Sequence, residues 1–193
     1  MTLIENSAVR LRTWQDRDVD WYADLIADPA VMRFIGDGKA RSRNAAEKEI
    51  TGFQAEQGLR GWSRWVAETS DNRPIGYIGF SLRNGEVDWG GRSFPSSWGS
   101  GLGLHATILA LELGIFELGI SKATAYIQER NQPAWRLNER IGFTRVGLVR
   151  RGPFAELVYS IERDRFIETG QRDRNLALCT RLLREQESVA GAS

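Results

Sequence analysis

Between residues 98 and 104 the chain reads Trp98-Gly99-Ser100-Gly101-Leu102-Gly103-Leu104, three glycines at alternate positions just ahead of a long apolar stretch. Without Cβ atoms the backbone can turn its N–H groups inward, and a helix starting there adds unpaired donors and the positive end of its dipole. Such a turn can hold a phosphate or pyrophosphate, or it can be a structural loop; the residues alone leave both open. Two rival nucleotide motifs do not fit. No Gly-Lys-Ser/Thr ending follows, as a P-loop requires, and the turn comes after an antiparallel run where a dinucleotide-binding unit needs the first strand of a βαβ. Other reactive side chains are sparse: the chain has one histidine, His105, and one cysteine, Cys179. An imidazole with an ordinary pKa of about 6.5 suits proton transfer, yet in the first turn after this loop His105 is expected to be a packing or surface residue. Cys179 has no histidine near it in sequence and is expected to be unreactive.

Those residues need elements to hold them. Val9 to Thr13 alternates apolar and charged residues as a short strand does, and Asp16 or Asp18 can cap a following helix carrying Val19, Trp21, Tyr22, Leu25 and Ile26. Asp28-Pro29 ends that helix, and Pro29 opens another turn with Val31, Met32 and Phe34 that stops at Gly36-Asp37-Gly38. Ser42 is a cap for a helix over about 43–57, with Gly58 as its terminator. From Trp62 the period becomes two, giving strands over 62–68, 74–82 and 86–94 joined by hairpin turns at Ser70-Asp71-Asn72 and Asn84-Gly85. Residues 104–118 are apolar on nearly every face, as in a helix buried against a sheet. A strand over 122–128, a short helix over 133–141 and strands over 144–150 and 156–161 complete the order. Residues 171–186 form a last helix with Leu176, Cys179, Leu182 and Leu183 on one stripe, and 187–193 reads as a disordered end. The class is α/β (α+β): a mixed, mostly antiparallel sheet flanked by helices, with one domain over 1–170 and a C-terminal helix and tail over 171–193.

Composition narrows the function. Lys+Arg 26 against Asp+Glu 25 leaves a net charge of +1, so no bulk field draws the chain to nucleic acid or an anionic membrane. One cysteine allows no intramolecular disulfide and, with one histidine, leaves almost nothing for a structural zinc site. The first residues lack a signal-peptide pattern, and no apolar run is long enough to span a bilayer. A cytoplasmic protein is expected. The seven tryptophans lie mostly near element ends and are expected to serve packing.

Four ordered segments carry a family likeness beyond the glycine turn. They are Val9-Arg-Leu-Arg-Thr, Asp28-Pro-Ala-Val-Met-Arg-Phe-Ile-Gly, Arg73-Pro-Ile-Gly-Tyr-Ile-Gly-Phe and Asn131-Gln-Pro-Ala-Trp-Arg-Leu-Asn-Glu-Arg-Ile-Gly-Phe. With Trp98 to Gly103 they resemble GNAT acetyltransferases over about residues 8–165, in the branch typified by ribosomal-protein N-terminal (alanine) acetyltransferases. The resemblance implies a sheet splayed in a V between its fourth and fifth strands, with acetyl-coenzyme A as cosubstrate and no metal. The pantetheine would pair with the strand edge ending at Ser93-Phe94, a peptide-like chain recognised as an added strand. The diphosphate would lie on Trp98, Gly99, Ser100, Gly101, Leu102, Gly103 and Leu104.

The resemblance also implies roles in the chemistry. Asp88 occupies the position where many relatives carry a glutamate that takes the amine proton, commonly through water, here shortened by one methylene. Glu86, two residues away on the same strand face, is the substitute base; either can equally be a solvated or salt-bridged strand carboxylate. Asn131 matches an asparagine that contacts the cofactor near the pantetheine, although it could cap the next helix instead. Ala134 stands where relatives often have serine, so a hydroxyl acid for the leaving thiolate is missing there. The implied activity is acetyl transfer to a primary amine, a protein N-terminus or a small molecule, by direct attack in a ternary complex. The alternative is a non-catalytic acyl-coenzyme A-binding module, and a nucleic-acid-binding regulator is disfavoured by charge. A homodimer is possible on this reading. Arg33, Lys39, Arg41 and Arg43 face either an acidic substrate or water.

Overall fold

A computed structural model describes residues 1–190, with side chains through Arg184. Its eight strands are β1 (Thr2–Glu5), β2 (Val9–Arg12), β3 (Arg64–Thr69), β4 (Pro74–Arg83), β5 (Glu86–Ser93), β6 (Lys122–Gln128), β7 (Thr144–Arg151) and β8 (Phe154–Glu162). The seven helices are α1 (Val19–Ala27), α2 (Pro29–Met32), α3 (Arg43–Arg60), α4 (Leu102–Leu111), α5 (Gln132–Arg140), α6 (Arg163–Glu168) and α7 (Gln171–Ala190). One sheet runs in the order β1-β2-β3-β4-β5-β6-β8-β7. Every neighbouring pair is antiparallel except β5 and β6, which are parallel and share a single register pair, Asp88 with Thr124.

Strand alternation divides the apolar residues between two layers. Trp65, Ala67, Ala123, Ala125 and Ile127 face α4, whose residues 104–111 are all buried. Val66 and Tyr77 face α1 to α3 and join Trp14, Tyr22, Ile50 and Phe53 in an aromatic-rich second core, with Trp14 and Phe53 stacked at 5.3 Å. Both faces of the sheet are therefore covered, and most tryptophans pack. Trp98, 53% exposed, does not.

The elements depart from the sequence reading where local signals are weak or duplicated. β1 was not foreseen, and the splay lies between β5 and β6 because β1 advances the count by one. Helix α3 runs through Gly58 and ends at Gly61, whose φ of 77° supplies the left-handed cap; Ser42 caps its start as expected, accepting from the Ala45 N–H at 3.3 Å. Asp18 is less a cap than a buried counter-ion, held by both terminal nitrogens of Arg12 at 2.7 and 2.8 Å. The long apolar helix stops being α at Leu111 and continues as a π-helical segment over Glu112–Glu117. Helix α6 was missed, and α7 continues past Gln186 to Ala190, leaving only 191–193 of the expected tail outside the described residues.

Helix α7 docks on α4 through a cluster that sequence distance conceals. Cys179 Sγ lies 3.0 Å from His105 Nδ1, and Asn6 Nδ2 lies 3.3 Å from the same nitrogen. Thiol and amide both donate to Nδ1, which fixes the proton on Nε2, and Nε2 is buried without a partner among the described residues. Burial holds His105 below its ordinary value of 6.5 and pushes the Cys179 thiol up to about 11. The histidine is thus a packing residue and the thiol a poor nucleophile. Because the unfolded chain takes up the proton more readily than the folded one, stability is complete above 6.5 and falls as pH drops below it. Urea midpoints at about pH 7.5 and about pH 5.5 should fall further for the wild type than for His105→Gln; equal falls would show that His105 is not the titrating group.

Candidate active site

The parallel pair β5–β6 is joined only near its start, so the strands part towards Ser93 and Gln128. A cleft of about 1130 Å³ opens there and is lined from both layers. Ala106, Thr107 and Leu137 come from the α4–α5 side, and Val31, Phe34 and Tyr77 come from the α1–α3 side. Gly91, Arg92 and Ser93 form its β5 wall, and their strand is paired on the other side by β4. The edge facing β6 carries no register pair beyond Asp88 among the described residues.

At the end of β5 a single turn, Pro95–Ser97, leads into the glycine segment. Gly99 and Gly101 take φ of 75° and 84°, in the left-handed region where glycine is favoured. Gly101 is the N-cap of α4 and supplies no side-chain cap, while Leu104 and His105 N–H groups both donate to the Gly101 carbonyl at 3.0 and 3.1 Å. Among the described residues no hydrogen bond uses the N–H of Gly99, Gly101 or Gly103. Alternating left-handed positions with free N–H groups at a helix start make a concave anion nest.

The structure brings together on the cleft wall Ser93, Trp98, Gly99, Ser100, Gly101, Gly103, Leu104 and Asn131. Trp98 Nε1 donates to the Ser93 carbonyl at 3.1 Å, which ties the turn to the strand end. Asn131 is the N-cap position of α5 but makes no side-chain capping bond, so its amide is not spent on the helix. Leu102 and Phe94 do not line the cleft: Leu102 packs on the main core and Phe94 on the aromatic core beside Trp21.

Asp88 and Glu86 are also outside the lining. Asp88 is buried in an ion pair with Arg64, with Arg83 at 4.0 Å. Burial pushes its carboxyl up from the ordinary range against the pull of Arg64, Arg83 and Arg151. Glu86 is exposed and accepts from the Tyr126 hydroxyl at 3.3 Å.

Sequence reading places Arg33 in a basic cluster facing an acidic substrate or water, and it misses Arg92 and Arg140. Arg33, Arg92 and Arg140 line the cleft, from the end of α2, from β5 and from the end of α5. Arg92 Nη1 lies 3.4 Å from both Glu49 Oε2 and the Tyr22 hydroxyl, and Tyr22 donates to Glu49. Leu182 of α7 also reaches the wall. No motif marks Arg92, Arg140 or Leu182; only the fold collects them with Arg33. Of the basic cluster near α2, Arg41 pairs with Asp37 and Arg43 with Asp20 and Glu47.

The comparisons with known proteins agree with this architecture. The acetyltransferase (GNAT) domain family matches residues 8–144. An uncharacterized N-acetyltransferase, YoaA of Bacillus subtilis (strain 168), is 25% identical over 173 residues, 84% of this chain and 98% of the relative. Among solved structures, a ribosomal L7/L12 α-N-protein acetyltransferase (RimL) in complex with coenzyme A superposes with a TM-score of 0.72 at 17% identity, covering 86% of this chain and 99% of that one. A spermidine N-acetyltransferase from Vibrio cholerae, in complex with coenzyme A and spermine, superposes with a TM-score of 0.68 at 16% identity, covering 84% and 99%. At such identities these structures speak for the fold, while the family match spans most of the chain. With the splayed parallel pair and the glycine turn at its mouth, this makes the chain a member of the GNAT acetyltransferase family and an acyltransferase.

Proposed function

We propose that the protein transfers an acetyl group from acetyl-coenzyme A to a primary amine by direct attack in a ternary complex. The observation that carries this is the nest at Gly99, Gly101 and Gly103, whose unused N–H groups open onto the cleft. Three donors at a helix start suit a diphosphate and need no metal. From there the pantetheine would run along the unpaired β5 edge at Gly91 to Ser93, which offers backbone groups to its amides. Asn131 would contact the pantetheine near the thioester.

The bonds that change are few. The amine nitrogen forms a bond to the thioester carbonyl carbon, the C–S bond breaks, and the thiolate takes up a proton equivalent to the one the nitrogen loses. A backbone N–H on the open β5 edge would stabilise the oxyanion. Ala134 on the wall offers no hydroxyl acid, so the proton reaches the departing thiolate through water or directly from the ammonium nitrogen of the tetrahedral adduct. Asp88 and Glu86 receive no proton-transfer role in this proposal, since neither lines the cleft. Rate enhancement then rests on proximity and on the oxyanion donor.

Arg140 is assigned to the 3′-phosphate of coenzyme A, because it lines the cleft on the α5 side and has no ion pair among the described residues. Acetyl-coenzyme A at a hundredfold excess over its Kd should stabilise the fold by about 2.7 kcal/mol, a rise in Tm of about 5–10 °C. Acetyl-3′-dephospho-coenzyme A should bind about tenfold more weakly, and Arg140→Gln should bind both compounds alike. No thermal shift at millimolar acetyl-coenzyme A would overturn the proposed function; a shift with undiminished discrimination in Arg140→Gln would overturn only the assignment of Arg140.

A further inference from the structure

Among the described residues, the charged ones lining the cleft are all of one sign. Arg33, Arg92 and Arg140 are present, and among the described residues no aspartate or glutamate is. Arg140 lies on the α5 side with the cofactor, which leaves Arg33 and Arg92 to be explained. Both belong to the opposite layer: Arg92 projects from β5 onto Tyr22 and Tyr77, and Arg33 follows α2. That is the side from which an acceptor would meet the thioester.

These two arginines are held in place. The loop after α2 is tied to the end of β6 by Gln128 Nε2, which donates to the Gly36 carbonyl at 3.2 Å, and to α1 by Arg41 N–H, which donates to the Ile26 carbonyl at 2.8 Å. Arg33 rests over the Phe34 ring at 5.0 Å and has no carboxylate partner among the described residues. Arg92 is 12% exposed and has Glu49 for a partner, yet its contacts with Glu49 and Tyr22 both use Nη1. Around them Val31, Phe34, Ile35 and Tyr77 form an apolar surround that strengthens any charge pairing made inside it.

We infer that the acceptor is a primary amine that also carries an anionic group, a carboxylate or a phosphate, which pairs with Arg33 and Arg92 while the amine faces the thioester. The inference rests on the acetyltransferase reading proposed above. A polyamine fits poorly, since its remaining ammonium groups would meet guanidinium groups with no carboxylate among the described residues of the wall to receive them.

The test is a matched acceptor series with acetyl-coenzyme A, read as free thiol release and by product mass. A peptide beginning Ser-Asp, its Ser-Asn isostere, phosphoethanolamine, ethanolamine and spermidine form the arms. The anionic member of at least one pair should exceed its neutral counterpart in kcat/KM by about tenfold, and which pair responds distinguishes carboxylate from phosphate. Arg33→Gln, a substitution at an exposed site, should erase that preference by raising KM for the anionic acceptor, and Arg33→Glu should reverse it. Acetyl-coenzyme A binding is measured on the same samples. If the unaltered protein binds acetyl-coenzyme A and prefers spermidine or the neutral members, the inference fails while the proposed function stands. If it binds no acetyl-coenzyme A, both fail.

Discussion

Gly103→Val is expected to fold like the wild type and to bind acetyl-coenzyme A about a hundredfold more weakly, a loss of about 2.7 kcal/mol. The position separates two effects that glycine substitutions usually mix. A Cβ built at Gly103 meets nothing within 4 Å, and its φ is not in the left-handed region. Valine is a better helix former than glycine by a few tenths of a kcal/mol, so in the first turn of α4 the substitution carries no propensity cost. Its methyl groups would instead fill space in front of the unused N–H groups, where the diphosphate is proposed to lie. Gly101→Val is a poorer probe, because a φ of 84° strains any L side chain by about 1–2 kcal/mol before a ligand is considered. Isothermal titration of Gly103→Val, with the melting curve of the free protein as control, checks the expectation. Unchanged affinity would reduce the turn to a structural loop.

Asp88→Asn is expected to act on stability more than on rate. The carboxylate is the ion-pair partner of Arg64, whose Nε is already buried without a hydrogen bond. Removing one member of such a pair leaves an uncompensated guanidinium and costs about 3 kcal/mol, or about 6–12 °C in Tm for a chain of this size. Turnover per folded molecule should stay within about threefold of wild type. A general base would behave differently: its loss lowers the rate by about 10²- to 10⁴-fold and removes the low-pH limb of the profile. Thermal melts together with a pH–rate profile separate the two. A hundredfold fall in turnover at unchanged Tm would restore Asp88 as the base.

What could be read in advance was what is written locally. The glycine turn announces itself through alternate residues without Cβ, and β4 and β5 through period two ended by Asn84-Gly85. Gly58 and Gly61 compete as helix terminators, and only the fold reveals which of the two adopts a left-handed φ. Charge pairing is harder still. Arg64 and Asp88 are 24 residues apart and His105 and Cys179 are 74 apart, so strand register and helix docking decide those partnerships. Arg92 and Arg140 lie on separate elements, β5 and α5, and a lone arginine on a strand or helix carries no signature, whereas Arg33 stands out only as part of a basic cluster. Asp88 was legible as a position and not as an environment. The likeness to a family gives it a place on β5, whereas its ion pair and its distance from the cleft wall depend on Arg64 and on the short pairing of β5 with β6.

Helix α7 lies beyond residues 8–144, where the family match ends, yet its Leu182 is part of the cleft wall. It is fastened by Cys179 to His105, by Arg172 to Glu112 at 2.9 Å and by Asn175 Nδ2 to the Ile141 carbonyl at 3.1 Å. A ligand that touches Leu182 binds the docked arrangement better than the undocked one, and linkage makes the preference mutual. Occupancy of the cleft should slow amide exchange along α7, and undocking α7 should weaken ligand binding by the same coupling free energy. The affinity of the cleft would then be set in part by a helix beyond the residues that the family match covers.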